Sequence, residues 1–202
     1  NNIDIVNNKG EYALFWHDAL LKNPLNFAKD LDVLNSVLKA LKLSGAFLND
    51  SCAIHIHVDG RGTHTPSTLC NLIDYSYKIQ NDIFKIFNLN SVKWQHGIKM
   101  FDKNMIDRIN LLTEKNFQDI EDIWYLNYSH RRIYFNESRY HFVNLHSFFY
   151  GIKTIEFRFF KGSLEYREIL NYIKFSLTLN NAALTDNFSL IESLLKTIKC
   201  DI

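Results

Sequence analysis

Two widely separated stretches alternate between apolar and polar side chains, and much of the remaining chain repeats with a helical period. The first is Cys52-Ala53-Ile54-His55-Ile56-His57-Val58-Asp59-Gly60. The two-residue period of a strand puts Ile54, Ile56 and Val58 on one face and His55, His57 and Asp59 on the other. Its β-branched content favours a strand, and Gly60 ends it. The second is Thr154-Ile155-Glu156-Phe157-Arg158-Phe159-Phe160, where Glu156 and Arg158 alternate with Ile155, Phe157 and Phe159. The two are predicted to share a sheet, with their polar faces towards one cavity.

Helical periods fill most of the rest. Leu31, Leu34, Leu38 and Leu41 predict a helix over 30–43, with Gly45 as its C-cap. Thr65-Pro66 is a hydroxyl cap followed by proline at the first helical position. It opens a long helix that Leu69, Leu72, Ile73, Ile79, Ile83 and Phe84 carry to about Phe87. Shorter helices fit 103–113 and 116–125, and a further strand fits 139–145. Ile169, Leu170, Ile173, Leu177 and Leu184 mark a helix over 165–184, and a last one fits 188–199. Residues 1–29 and 88–101 show no clean period. The pattern predicts an α+β fold with antiparallel strands against long helices, because the helices are too unevenly placed for repeated βαβ units. No linker rich in Pro, Gly or Ser divides the chain, so 1–202 reads as a single domain.

Bulk properties narrow the function. Of 202 residues, 47% are hydrophobic, with 16 Phe and 10 Tyr, enough for a sizeable core. A net charge of +1 makes no electrostatic case for nucleic acid or an anionic membrane as partner. No apolar run is long enough to span a bilayer. Three widely spaced cysteines, Cys52, Cys70 and Cys200, form no zinc signature and fit a reducing, cytoplasmic setting. The chain opens on Asn1 rather than methionine, as a processed product or a fragment would.

The polar faces carry the candidate chemistry. His57, Glu156 and Asp59 are candidate metal ligands, although hard ions such as Mg²⁺ or Mn²⁺ accept imidazole only among oxygen donors. Asp before Gly is also ordinary turn chemistry. Arg158 suits phosphate or carboxylate oxygens through its planar fork, and it can equally pair with a neighbouring acid. Arg131, Arg132 and Arg139 form a basic cluster that suits an anionic substrate or plain solvation. No P-loop, G-x-S-x-G, C-x-x-C or H-E-x-x-H motif appears. A metal-dependent hydrolase or nuclease using His55, His57, Asp59 and Glu156 stays open on these residues.

Three blocks in order resemble a known family. Residues 52–59 resemble the H-x-H-V motif of the amidoligases of the glutamine-synthetase-like superfamily. Arg139-Tyr140-His141-Phe142-Val143-Asn144-Leu145 resembles their R-Y-x-x-V-N-L block. Residues 154–164 resemble their T-x-E-F-R-x-F-x-G-T-L block, with Ser163 in place of threonine. The resemblance covers roughly 30–185 and implies a curved antiparallel sheet bearing ATP and Mg²⁺ or Mn²⁺. It implies an ATP-dependent carboxylate–amine ligase that works through an acyl phosphate on a small-molecule or peptide carboxylate and an amine. Glu156, Arg158 and His57 would then be catalytic, with His57 and Glu156 at or beside the metal. His55, Arg139, Asn144 and Arg131 would line the nucleotide or acyl site. One departure stands out: the family begins with a strand bearing an E-x-E motif. Before residue 30 this chain offers only the single Glu11, so the fold is expected to lack its first strand. An inactive, protein- or nucleotide-binding relative would follow from that loss.

Overall fold

The structure, a computed structural model, describes residues 27–49, 52–87, 97–128, 131 and 133–200. Glu11 and the expected absence of a first strand lie outside those residues, as do His96, Ser129, His130 and Arg132. The described chain is α+β. In order it runs α1 (Phe27–Leu43), β1 (Ala53–Asp59), α2 (Pro66–Ile86), α3 (Lys103–Asn110) and α4 (Phe117–Trp124). A 3-10 turn (Glu137–Tyr140) leads to β2 (Val143–Asn144), α5 (His146–Phe149), β3 (Thr154–Lys161), α6 (Tyr166–Thr185) and α7 (Ser189–Cys200). Among the described residues no helix is long and apolar enough to cross a membrane.

The two alternating stretches pair as expected. The sheet order is β1-β3-β2, antiparallel throughout, with β3 in the middle. His57 lies opposite Glu156, and Asn144 lies opposite Glu156 on the other side. The register then slips by one between Ile54 and Ile56, so His55 faces both Arg158 and Phe159. Such a bulge changes which face the following residues point to. It explains how the adjacent Phe159 and Phe160 are both fully buried, where strict alternation would have left one of them on the polar face. Both rings pack with Phe87 and Phe175.

The helix layer covers the apolar face. Thr65 caps α2 by the expected box: Thr68 N–H donates to the Thr65 hydroxyl, and Thr65 N–H donates to the Thr68 hydroxyl at 2.8 Å. Leu69, Leu72, Ile73, Ile79 and Ile83 are buried along it. Helix α6 packs against α2 and also touches β1. Its buried face is not the leucine stripe that the sequence pattern picked out. Ile169, Tyr172, Phe175, Ser176, Leu179, Asn180, Ala182 and Ala183 are buried, while Leu170, Ile173, Leu177 and Leu184 are only half-buried. The reason is local satisfaction of polar groups. Ser176 donates to the Tyr172 carbonyl at 2.9 Å, and Asn180 Oδ1 lies 2.9 Å from His64 Nε2.

A second departure concerns residues 139–145. The expected strand shrinks to Val143–Asn144, and the block begins as a 3-10 turn. The side chain of Asn136 accepts a hydrogen bond from Ser138 N–H at 2.8 Å, an alternative to ladder pairing. Only the end of the block reaches β3.

Two features of this frame can be tested by stability. Gly162 ends β3 directly against β1, and its N–H donates to the Cys52 carbonyl at 2.9 Å. A Cβ there would lie 2.6 Å from Cys52 Cβ and 3.0 Å from its carbonyl oxygen. Gly162→Ala is expected to lower unfolding free energy by about 1–3 kcal/mol in urea titrations. His141 is buried between Phe101 and Trp124, and burial together with the Lys99 charge pushes its pKa down from 6.5 to about 4. Between those values the unfolded chain binds the extra proton, so stability falls as pH falls, by roughly 3 kcal/mol for this group. The pH slope of stability over that window is expected to flatten in His141→Gln.

Candidate active site

Glu156 sits at the centre of the polar face. Its residue is 5% exposed, and a buried carboxylate needs donors on both oxygens. Strand pairing supplies them. On one side β1 brings His55 Nδ1 to 3.0 Å from Oε1 and His57 Nε2 to 3.8 Å. The first distance is a hydrogen bond to a carboxylate, so His55 Nδ1 carries the proton; the second is an ion-pair distance beyond hydrogen-bond reach. Arg158, two residues along β3, donates through Nη1 to the same Oε1 at 3.1 Å. On the other side β2 brings Asn144, whose Nδ2 donates to Oε2. Asn144 is itself held: its Oδ1 accepts the His146 N–H at 2.8 Å.

The electrostatics follow from this geometry. Burial alone would favour the neutral acid at Glu156. The hydrogen bond from His55 and the charges of Arg158 and the two imidazoles outweigh it and hold the carboxyl well below the usual range. For His57 burial is the largest effect and lowers its pKa; the Glu156 charge opposes it, and the charges of His55, Arg158 and Arg139 add to it. His57 is therefore neutral at pH 7. The guanidinium of Arg158 also lies over the Tyr140 ring, 5.4 Å from its centre.

All three sequence blocks thus meet at one carboxylate: His55 and His57 from the first, Tyr140 and Asn144 from the second, Glu156 and Arg158 from the third. A family model described as "Putative amidoligase enzyme" matches residues 20–180. The chain belongs to this amidoligase family. No curated protein and no solved structure matches it.

The other candidates of the amidoligase site are placed less centrally. Arg139 is half-buried, with its guanidinium over the rings of Tyr134 and Phe135, and its charge reaches His57 and His146. Asp59 lies opposite Thr154 and binds Arg61 through both oxygens at 2.9 Å, while also accepting the Arg61 N–H. That is the turn chemistry of an Asp-Gly strand end. Arg131 is exposed and paired with Asp122.

A hard divalent cation asks for several oxygen ligands. The described residues gather one central carboxylate, and N–H donors occupy both of its oxygens. Among the described residues no group of three His, Cys, Asp or Glu side chains is arranged to hold an ion. The described donor set does not by itself fit such an ion. It does suit phosphate or carboxylate oxygens, through Arg158 and Arg139.

Several polar residues around the site went unremarked in the sequence. Thr154 Oγ1 lies 2.8 Å from His57 Nδ1 and 2.8 Å from Ser147 Oγ. His146 is buried, with Nδ1 bonded to the Tyr125 hydroxyl and its ring stacked on Tyr150. Thr154 was recoverable, because it shares the period-two face of Glu156. Tyr125, His146 and Ser147 carried no such signal, since only tertiary packing brings them near.

Replacing Glu156 by Gln keeps the shape and removes the charge. Glu156→Gln is expected to cost about 2–4 kcal/mol of stability at pH 7, because Arg158 loses its buried counter-ion. The Glu156 charge raises the pKa of His57, so without it the His57 pKa is expected to fall further, read by NMR titration of its ring. An unchanged or raised value would contradict the arrangement described.

Proposed function

We propose that this amidoligase joins a carboxylate to an amine at the expense of ATP, through an acyl phosphate. The observation that carries the reading is the saturated Glu156 cluster. A buried carboxylate fixed by donors from three strands holds Arg158 and His55 in place on the polar face before any substrate arrives. Preorganised donors of this kind stabilise charge that develops in a transition state, with little reorganisation during reaction.

The chemistry would proceed in two displacements. A substrate carboxylate oxygen attacks the γ-phosphorus of ATP, the bond to ADP breaks, and an acyl phosphate forms. The amine nitrogen then attacks the acyl carbon, phosphate leaves, and the amine gives up a proton. Arg158 and Arg139 would bind the phosphoryl oxygens, His55 would support them, and Asn144 would keep Glu156 oriented. Neutral His57 suits the role of proton acceptor. In this reading Glu156 orients Arg158 and His55. A divalent ion is expected to accompany ATP in such chemistry, and no step above is routed through it.

The reading is tested by calorimetry with ATP and Mg²⁺, followed by ADP release with hydroxylamine as the amine and a panel of carboxylates. The intact protein is expected to bind ATP, and Arg158→Ala to weaken binding at least tenfold, or about 1.4 kcal/mol. ADP release is expected to need both carboxylate and amine. Failure of the intact protein to bind ATP sinks the ligase. Binding without turnover on any acceptor pair would identify a nucleotide-binding relative instead, and tight zinc binding without nucleotide would identify a hydrolase.

A further inference from the structure

The turn ahead of the 3-10 segment presents two aromatic rings to solvent. Asn136 N–H donates to the Ile133 carbonyl at 3.2 Å and closes a turn with Tyr134 and Phe135 at its tip. Turn tips favour Gly, Pro, Asn, Asp and Ser. This tip instead carries two large rings that are 69% and 71% exposed. They meet edge to face, 4.8 Å between centres. The Arg139 guanidinium lies 5.6 Å from the centre of the Tyr134 ring and 5.5 Å from that of Phe135. Among the described residues no carboxylate pairs with Arg139, so its charge is available to a ligand. The tip is also tied to the Glu156 cluster. The backbone of Ile133 and Tyr134 lies beside the His146 ring. His146 N–H is held by Asn144, which donates to Glu156. The charge of Arg139 acts on both His57 and His146. Exposed apolar rings beside an unpaired cation at the rim of a polar cluster mark a ligand-binding edge.

We propose that Tyr134 and Phe135 select the acyl substrate, a carboxylic acid with an aromatic or bulky apolar body, while Arg139 holds its charged end. The inference rests on the ligase reading, in which Arg139 binds oxygens of the phosphoryl group passed to the substrate. Once the acyl phosphate has formed, the body of the acid begins only a few bonds from those oxygens. The rings stand at that short reach, 5.5 and 5.6 Å from the guanidinium. The adenine of ATP is separated from the same phosphoryl group by a ribose and two further phosphates, so it lies farther off. An apolar body laid on the tip removes both rings from water and gains ring contacts. A small or doubly charged acid leaves them wet. Apolar contact of this kind discriminates between acids by about tenfold or more.

The test titrates the intact protein with 3-phenylpropionate, propionate and glutarate without nucleotide, followed by NMR. Wild type is expected to bind 3-phenylpropionate at least about tenfold more tightly than the other two acids. The double variant Tyr134→Ala, Phe135→Ala is expected to lose that preference, and Phe135→Trp to keep it. Arg139→Gln is expected to weaken all three acids. Both rings are exposed, so these variants are expected to fold, which circular dichroism checks. In the ADP-release assay with hydroxylamine the double variant is expected to raise KM for 3-phenylpropionate about tenfold, with KM for ATP little changed. Wild type that binds none of the acids or all three alike, or a preference intact in the double variant, overturns the proposal. Loss of ATP binding in the double variant with the acid preference intact assigns the tip to the nucleotide and overturns it too. The two readings fail separately. If wild type releases no ADP with any acid yet binds 3-phenylpropionate through these rings, the ligase reading falls and the acid-binding edge stands. ADP release without preference for apolar acids defeats the inference and leaves the ligase reading in place.

Discussion

A carboxylate that is almost completely buried must be satisfied on both oxygens or it will not stay ionised. Glu156 meets that demand with donors from every strand of the sheet. The demand therefore works as a geometric constraint on the whole polar face. His55 and Asn144 have to come from opposite sides, so β3 has to be the central strand. Arg158 has to reach back along the same strand, which it does two residues on. Tyr140, carried on the 3-10 turn, then lies beneath the Arg158 guanidinium. Losing Arg158 or Asn144 leaves a buried carboxylate oxygen short of a donor.

The same strand must also anchor the core, and the bulge reconciles the two tasks. Between Ile54 and Ile56 one residue of β1 answers two of β3. Before the bulge, β3 alternates Glu156 and Arg158 outward with Ile155 and Phe157 inward. After it, Phe159 and Phe160 both join the aromatic layer with Phe87, Tyr172 and Phe175. Gly162 completes the join, because only a residue without a side chain lets β3 end so close to Cys52. Core and site are thus two faces of one short sheet, and the large aromatic residues stiffen the backbone that presents the charges.

Much of this was legible from residue order. The helices over 30–43, 66–87 and 165–184 announce themselves by period and by caps such as Thr65-Pro66. The alternation in 52–59 and 154–160 is enough to assign two strands, their polar faces and their pairing. The less regular parts resisted for identifiable reasons. Residues 139–145 look like a strand by composition, yet Asn136 draws their start into a 3-10 turn. On α6 the buried face runs through Ser176, Asn180, Ala182 and Ala183, whose burial depends on hydrogen bonds that a count of leucines does not see. Asp59 shares a face with His57, but its carboxylate is used by Arg61.

The sequence by itself determined the family, the α+β class and the identity of the central ionic residues, because periodicity and motif spacing are properties of the linear chain. Tertiary structure alone decided that Glu156 is enclosed by His55, Arg158 and Asn144, and that Thr154 and Ser147 stand behind His57. Hydrogen bonds of this kind depend on register and on close approach between strands and turns. Those are settled when the sheet pairs and the aromatic layer packs, and no local pattern of residues records them.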